Sequence, residues 1–196
     1  MNFRSIQRWS LAALLLLLPA AARAQTVQWT TNYYNVTGAD FREIRRAMER
    51  TRPWPEPFDG DTRWTITWRF NFRETAAGCA LSGHSTVTTI TTTMPRWTSP
   101  PDVLPEVKER WTRYYTNLLA HEAGHGRFAF AAAAEIRRRF SETSAQANCD
   151  ALKNLLNDHA NRVIEDHRAR EKEYDRRTNH GRDTGDGPPR GPGPGR

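Results

Sequence analysis

Trp64, Ile66, Trp68, Phe70 and Phe72 stand at every second position of one segment, with Thr65, Thr67, Arg69 and Asn71 between them. Successive side chains of a strand leave on opposite faces, so this alternation reads as a half-buried strand with one apolar and one polar face. An apolar face of that size has to be covered by another layer. Helical periods further along the chain supply it.

Residues 27–37 read as an extended opening strand. Gly38 turns the chain, and Asp40 caps a helix through "FREIRRAMER". The prolines of "RPWPEPFDGD" end that helix. "AAGCALSGH" reads as a short strand and turn, and "STVTTITTTM" as a second strong β segment ended by Pro95. Its threonines make one face polar, which suits an edge strand or one face of a sheet lining a cleft. A helical period then runs from Trp111 through Tyr115, Leu118 and Leu119, unbroken to Ser141. A last helix follows Cys149, buries Leu152, Leu155, Leu156, Val163 and Ile164, and stops at "TNHG", where Gly181 suits a turn. No internal repeat is evident. The order predicts an α+β domain: a small, mainly antiparallel sheet packed on the helix that carries "HEAGH", plus a long C-terminal helix.

The ends carry different signals. Arg4 and Arg8, the run "LAALLLLLPAAA" and the small-residue triplet "ARA" predict a signal peptide over residues 1–24, cleaved before Gln25. The run is too short to cross a bilayer comfortably as a permanent helix, and no second apolar span follows. An exported protein, periplasmic or secreted, with no stable membrane insertion after cleavage is expected. No cysteine stands directly after the run, so nothing points to a lipoprotein. About 170 residues remain, enough for one domain over residues 25–181. Residues 182–196 lack apolar side chains and are rich in Gly and Pro, the composition of a disordered tail. In an oxidising compartment Cys79 and Cys149 pair as one disulfide. The net charge of +7 includes Arg4, Arg8 and Arg23, which leave with the signal. The other basic residues alternate with acids along helical faces, which fits a solvated surface and not a nucleic-acid groove.

In "LLAHEAGHGRFAF", residues 118–130, His121 and His125 are four apart. On a helix they share one face and can bind one zinc ion, with Glu122 beside it. Glu122 is the sole charge between Leu118 and Gly126, as suits a helix beneath an active site. Gly124 and Gly126 are poor helix formers, about 1 kcal/mol each, so something is expected to approach the helix closely there. A zinc enzyme commonly takes a third protein ligand. Glu135 lies ten residues on, about 15 Å along the axis, and cannot reach the ion. Ala131 stands where the long metzincin motif would have its third histidine. His84 reads as a surface turn residue, and His167, among charges, as a surface residue. His180, at a helix end just before a glycine, is the leading candidate for the third ligand, with His159 and Asp175 as alternatives.

The chain resembles a family of exported bacterial proteins described as zinc-dependent proteases. The matching features are "WTITWRFNFR", the lone Cys79, "TTMPRW", Trp111 and Tyr115 ahead of "LLAHEAGH", Cys149 and, most specific, "YDRRTNHG". The resemblance implies a zincin-like fold. It also implies that Tyr174, Asp175, Thr178, His180 and Gly181 belong to the functional set, which strengthens His180 as the third ligand. Similar chains carry a glutamine where this one has Thr184. The expected chemistry is metal-assisted hydrolysis of a peptide or protein substrate. Zn²⁺ on His121, His125 and His180 would activate water, with Glu122 as general base. Tyr174 would bind the oxyanion, and Asp175 would orient a ligand from behind. Two other functions fit the same residues: a periplasmic module that keeps zinc for structure, and a hydrolase of cell-wall amides.

Overall fold

A computed structural model describes residues 23–181. Along them run β1 (Arg23–Thr37), α1 (Phe41–Thr51), β2 (Asp61–Thr75), β3 (Gly78–Thr98), α2 (Pro105–Glu142) and α3 (Cys149–Thr178). Residues 1–22 of the expected signal segment and the expected tail 182–196, Thr184 included, lie outside the described residues. β1 begins two residues before the expected cleavage point. No helix among the described residues is long and apolar enough to cross a membrane.

The α+β class stands, but the sheet is mixed. Its order is β1-β3-β2. β2 and β3 are joined by a tight turn and pair antiparallel, from Asp61↔Thr93 to Thr75↔Gly78. β1 lies on the other side of β3 and pairs parallel, from Arg23↔His84 to Thr37↔Thr98. The threonine-rich strand is therefore central and not an edge. Threonine's branched Cβ suits a pleated, half-buried surface whatever its hydroxyl suggests.

The two β segments expected on either side of His84 are one strand of 21 residues. Ser82 is its extra residue opposite β2, since Asn71 pairs with Gly83 and Phe72 with Leu81. His84 is consequently buried inside β3, with its ring 5.5 Å from that of Phe140, and is not a surface turn residue. The strand also runs through Pro95. Beyond Thr93 it keeps β1 as its one partner, and a strand tolerates proline where one side is open.

Two apolar clusters hold the layers together. In the larger, Trp64 and Ile66 of β2 and Ile90 of β3 meet Ala129, Ala132, Ala133, Ile136 and Phe140 of α2 and Leu152, Leu156, Ala160 and Val163 of α3. The alanines let the sheet and α3 approach α2 closely. In the smaller, Tyr34, Val36, Ile44, Ala47, Met48 and Trp54 pack with Trp97, Val107 and Trp111. α2 spans both clusters, and its "HEAGH" turn falls between them.

Local signals set the ends. Asp40 caps α1 by accepting from the Glu43 N–H at 2.8 Å, and Asn148 caps α3 by accepting from the Ala151 N–H at 2.8 Å. His167 faces α2 and is buried, its Nε2 3.2 Å from Glu135 Oε2, so it is not the surface residue its charged neighbours suggest. That contact, with the Arg139 ion pair at 3.3 Å, occupies Glu135 far from the histidine pair.

Cys79 and Cys149 form a disulfide 70 residues apart that ties the start of β3 to the start of α3. Closing a loop of that length restricts the unfolded chain and stabilises the fold by about 4 kcal/mol. Replacing both cysteines by serine is expected to lower the unfolding free energy by about that amount, measured by equilibrium denaturation. An unchanged midpoint would remove the disulfide from the account of stability.

Candidate metal centre

The centre is built where α3 lies against α2. His121 and His125 share one face of α2, both buried. Glu171, Tyr174, Asp175 and Thr178 follow one another at spacings of three, one and three along α3, which puts them on a single face toward α2. Tyr174 stacks on His121 with ring centroids 4.9 Å apart and planes within 11°. A Cβ on Gly124 would come within 2.3 Å of the Tyr174 hydroxyl oxygen. On Gly126 it would come within 2.3 Å of the Trp29 ring. Those two aromatics are the close neighbours that the helix glycines anticipate.

Each histidine is oriented from behind. His125 Nδ1 lies 2.9 Å from Glu171 Oε1, a carboxylate that can accept only from an Nδ1–H. Glu171 is itself held by the Trp64 indole N–H, at 3.0 and 3.1 Å from its two oxygens. His121 Nδ1 lies 3.3 Å from Thr178 Oγ1, whose own hydrogen goes to the Tyr174 carbonyl at 2.8 Å. Thr178 therefore accepts from His121. Both rings carry hydrogen on Nδ1 and turn Nε2 inward.

There the two Nε2 atoms are 3.1 Å apart, and Asp175 Oδ1 lies 3.2 Å from that of His121 and 3.0 Å from that of His125. Asp175 Oδ1 is buried and no N–H points squarely at it. The contacts are electrostatic attraction out of line for hydrogen bonds. Three donor atoms forming a triangle of that size fit one face of a zinc tetrahedron, whose ligands at about 2.0–2.1 Å from the ion sit about 3.3 Å apart. Two imidazoles and a carboxylate are also a donor set that zinc accepts. Among the described residues, His121, His125 and Asp175 are the group placed to hold a metal ion.

His180 stands beside this trio. Asn179 and His180 both adopt left-handed backbone, φ 48° and 52°, which turns the chain out of α3. The His180 ring stacks on Phe58 at 5.6 Å, half-exposed, and its Nδ1 is 3.6 Å from Asp175 Oδ1. The third converging atom thus comes from Asp175, named in the sequence as an alternative, and not from His180. His159 is remote from the centre, with its Nδ1 3.3 Å from Thr143 Oγ1. The Tyr174 hydroxyl donates to the His121 carbonyl at 3.3 Å.

Glu122 is almost fully buried on the other side of the histidines. Thr62 Oγ1 donates to its Oε2 at 2.7 Å, which leaves Thr92 to donate to Thr62 at 3.1 Å and to accept from the Trp29 indole at 3.1 Å. A Cβ on Gly60 would lie 2.5 Å from Glu122 Oε1, so the absence of one makes room for the carboxylate. Asp59 fixes this loop: buried, it pairs with Arg45, accepts from the Tyr114 hydroxyl at 2.8 Å, and offers its carbonyl to Tyr34 at 2.7 Å. Thr62, Glu171, Trp29 and Asp59 carried no motif in the sequence. Glu171 alone was within reach, one helical turn before Asp175. A cleft of about 530 Å³ opens onto Glu122, the two histidines, Asp175 and His180.

A family profile matches residues 31–181, three quarters of the chain. The chain belongs to that family, described as a bacterial protein of unknown function (DUF922). The DUF922 match takes in Asp59, Gly60, Thr62, Glu122, the two histidines and the α3 residues up to His180, while Trp29 lies just ahead of it. No curated protein and no solved structure matches the chain.

Protons are held tightly here. Burial pushes the Glu122 carboxyl up to about 7, against the Thr62 hydrogen bond and the charge on His125. Burial alone would depress His125, but the carboxylates of Asp175 and Glu171 override it and raise its pKa to about 10. Burial would raise Asp175, yet the two imidazoles hold its carboxyl far below the usual range. For Glu122 the sign is clear: the folded state favours the protonated acid. Its contribution is complete below 4.5 and is lost as pH rises through about 7. Glu122→Gln removes that loss. In chelator-treated protein the variant is expected to gain on the wild type by on the order of 3 kcal/mol between pH 5 and pH 8.5, read from denaturant unfolding. A constant difference across that range would contradict the raised pKa.

Proposed function

We propose that this protein is a zinc-dependent peptidase. The observation that carries the reading is the convergence of His121 Nε2, His125 Nε2 and Asp175 Oδ1, with the buried Glu122 beside them in one cleft. In this reading those three atoms hold the metal. A zinc ion supplies Lewis acidity and makes water a nucleophile near neutral pH.

Glu122 accepts the proton of the attacking water and returns it to the departing amine, which requires a carboxyl that changes state near neutrality. Its pKa of about 7 in the metal-free site supports that role. Thr62 fixes the carboxylate from behind, and the absence of a Cβ at Gly60 leaves room for its second oxygen. Glu171 and Thr178 act as positioning residues that aim the imidazoles, and such partners raise ligand basicity as well as fixing orientation. Tyr174, with its hydroxyl on the His121 carbonyl and its ring on the imidazole, positions His121. His180 lies on the cleft wall next to Asp175, where it holds the carboxylate in place.

The chain prepared by export and signal cleavage is expected to carry close to one zinc per molecule by elemental analysis. Glu122→Gln should keep the zinc and lose about 10²- to 10⁴-fold in peptide hydrolysis. Peptide cleavage that survives this substitution undiminished would remove Glu122 from the chemistry. Full zinc with no cleavage of any peptide would favour a structural role for the metal.

A further inference from the structure

The walls of the cleft carry four carboxylates and three cations besides the histidines, and they are not evenly used. Asp175 faces the two Nε2 atoms, Glu171 is bound to His125 and Trp64, and Glu122 is bound to Thr62. Asp61 is paired with Arg63 at 2.8 Å. That leaves two cations, Arg168 and Lys172, which line the same cleft without a carboxylate partner among the described residues.

Both sit on the face of α3 that carries Glu171 and Asp175. The Arg168 guanidinium lies 4.7 Å above the Trp64 ring and donates to the Trp64 carbonyl at 3.1 Å. Those contacts hold it over the cleft edge while leaving its charge unneutralised. Lys172 follows one turn later, exposed and without a hydrogen bond. Further along α3 the exposed charges are spent on each other: Glu173 pairs with Arg176 and Arg177.

We infer that Arg168 and Lys172 form a subsite for a substrate carboxylate, making the cleft selective for acidic peptides. This rests on the peptidase reading above. Along the helix Lys172 precedes Asp175 by about 4.5 Å and Arg168 by about 10.5 Å. An extended peptide advances about 3.3–3.6 Å per residue. The carboxylate therefore lies one to three residues from the bond being cut. It is either an Asp or Glu side chain or the substrate's own C-terminus.

The test uses zinc-loaded, signal-cleaved protein and synthetic decapeptides with Glu, Gln or Lys at each position around the central bond. One set is C-terminally amidated and the other ends in a free carboxylate. Cleavage within three residues of Glu, with kcat/KM about tenfold above the matching Gln peptide, is expected in the amidated set if the side chain is recognised. Cuts confined to the last three residues of the free-acid set would mark the terminal carboxylate as the group bound. In either case Lys172→Glu should bring the preference to unity or reverse it toward Lys. Equal cleavage of Glu, Gln and Lys peptides, unmoved by Lys172→Glu, would overturn the subsite.

Binding separates this from the peptidase reading. Zinc-loaded Glu122→Gln, titrated calorimetrically, should hold the Glu peptide about tenfold tighter than the Gln peptide. If the wild type cleaves nothing yet that difference is present and lost with Lys172→Glu, the subsite stands and the peptidase reading falls. If binding shows no difference, the subsite falls whatever the wild type cleaves.

Discussion

The contact between His125 and Glu171 fixes the register of α3 on α2, and the remaining geometry follows from it. With Glu171 on the Nδ1 of His125, helical spacing brings Tyr174 onto the His121 ring, Asp175 onto both Nε2 atoms and Thr178 onto the Nδ1 of His121. A shift of one residue would move all four off the face together. Several features hold that register. Trp64 binds Glu171 from the sheet, Gly124 admits the Tyr174 ring, and the disulfide ties the start of α3 to β3. The alanines of α2 allow the close approach on which these contacts rely.

The centre buries titratable groups in two opposite ways: burial makes the ionised form of Glu122 unfavourable, whereas facing carboxylates favour the charged form of His125. Glu122 is buried at a pKa of about 7, and His125 keeps a proton to about 10 because two carboxylates face it. The carboxylates of Asp175 and Glu171 attract the proton on His125, and a cation bound to the inward-facing atoms would compete with that proton. The centre falls between two apolar clusters that bury Phe140, Ile136, Ile90, Ile44 and Met48 completely or nearly so. The scaffold can carry the burial cost of Glu122 because its stability is generated on either side of the centre.

Much of the architecture was legible from periodicity. The strand at Trp64, the cap at Asp40 and the helix around "HEAGH" are local patterns, and local patterns are what a sequence displays. The failures were non-local. Pairing by β1 made the threonine-rich strand central and carried it through Pro95, and contact with Phe140 and Glu135 buried His84 and His167. Within the centre, the paired histidines and Glu122 were visible because they repeat at helical spacing. Which of Asp175 and His180 comes nearer the two imidazoles depends on Asn179 and His180 turning left-handed and sending the His180 ring to Phe58. Thr62 had no signal at all. Its role depends on where β2 passes α2, which no short motif records.

The most direct test is the position of the metal itself. Crystals of the zinc-loaded protein, measured on either side of the zinc absorption edge, would locate the ion from anomalous scattering independently of any activity. With Asp175 as the third ligand, one peak appears about 2.0–2.2 Å from His121 Nε2, His125 Nε2 and an Asp175 oxygen, with His180 outside bonding distance. A peak bonded to His180 with Asp175 turned away, or no peak between the two histidines, would contradict it.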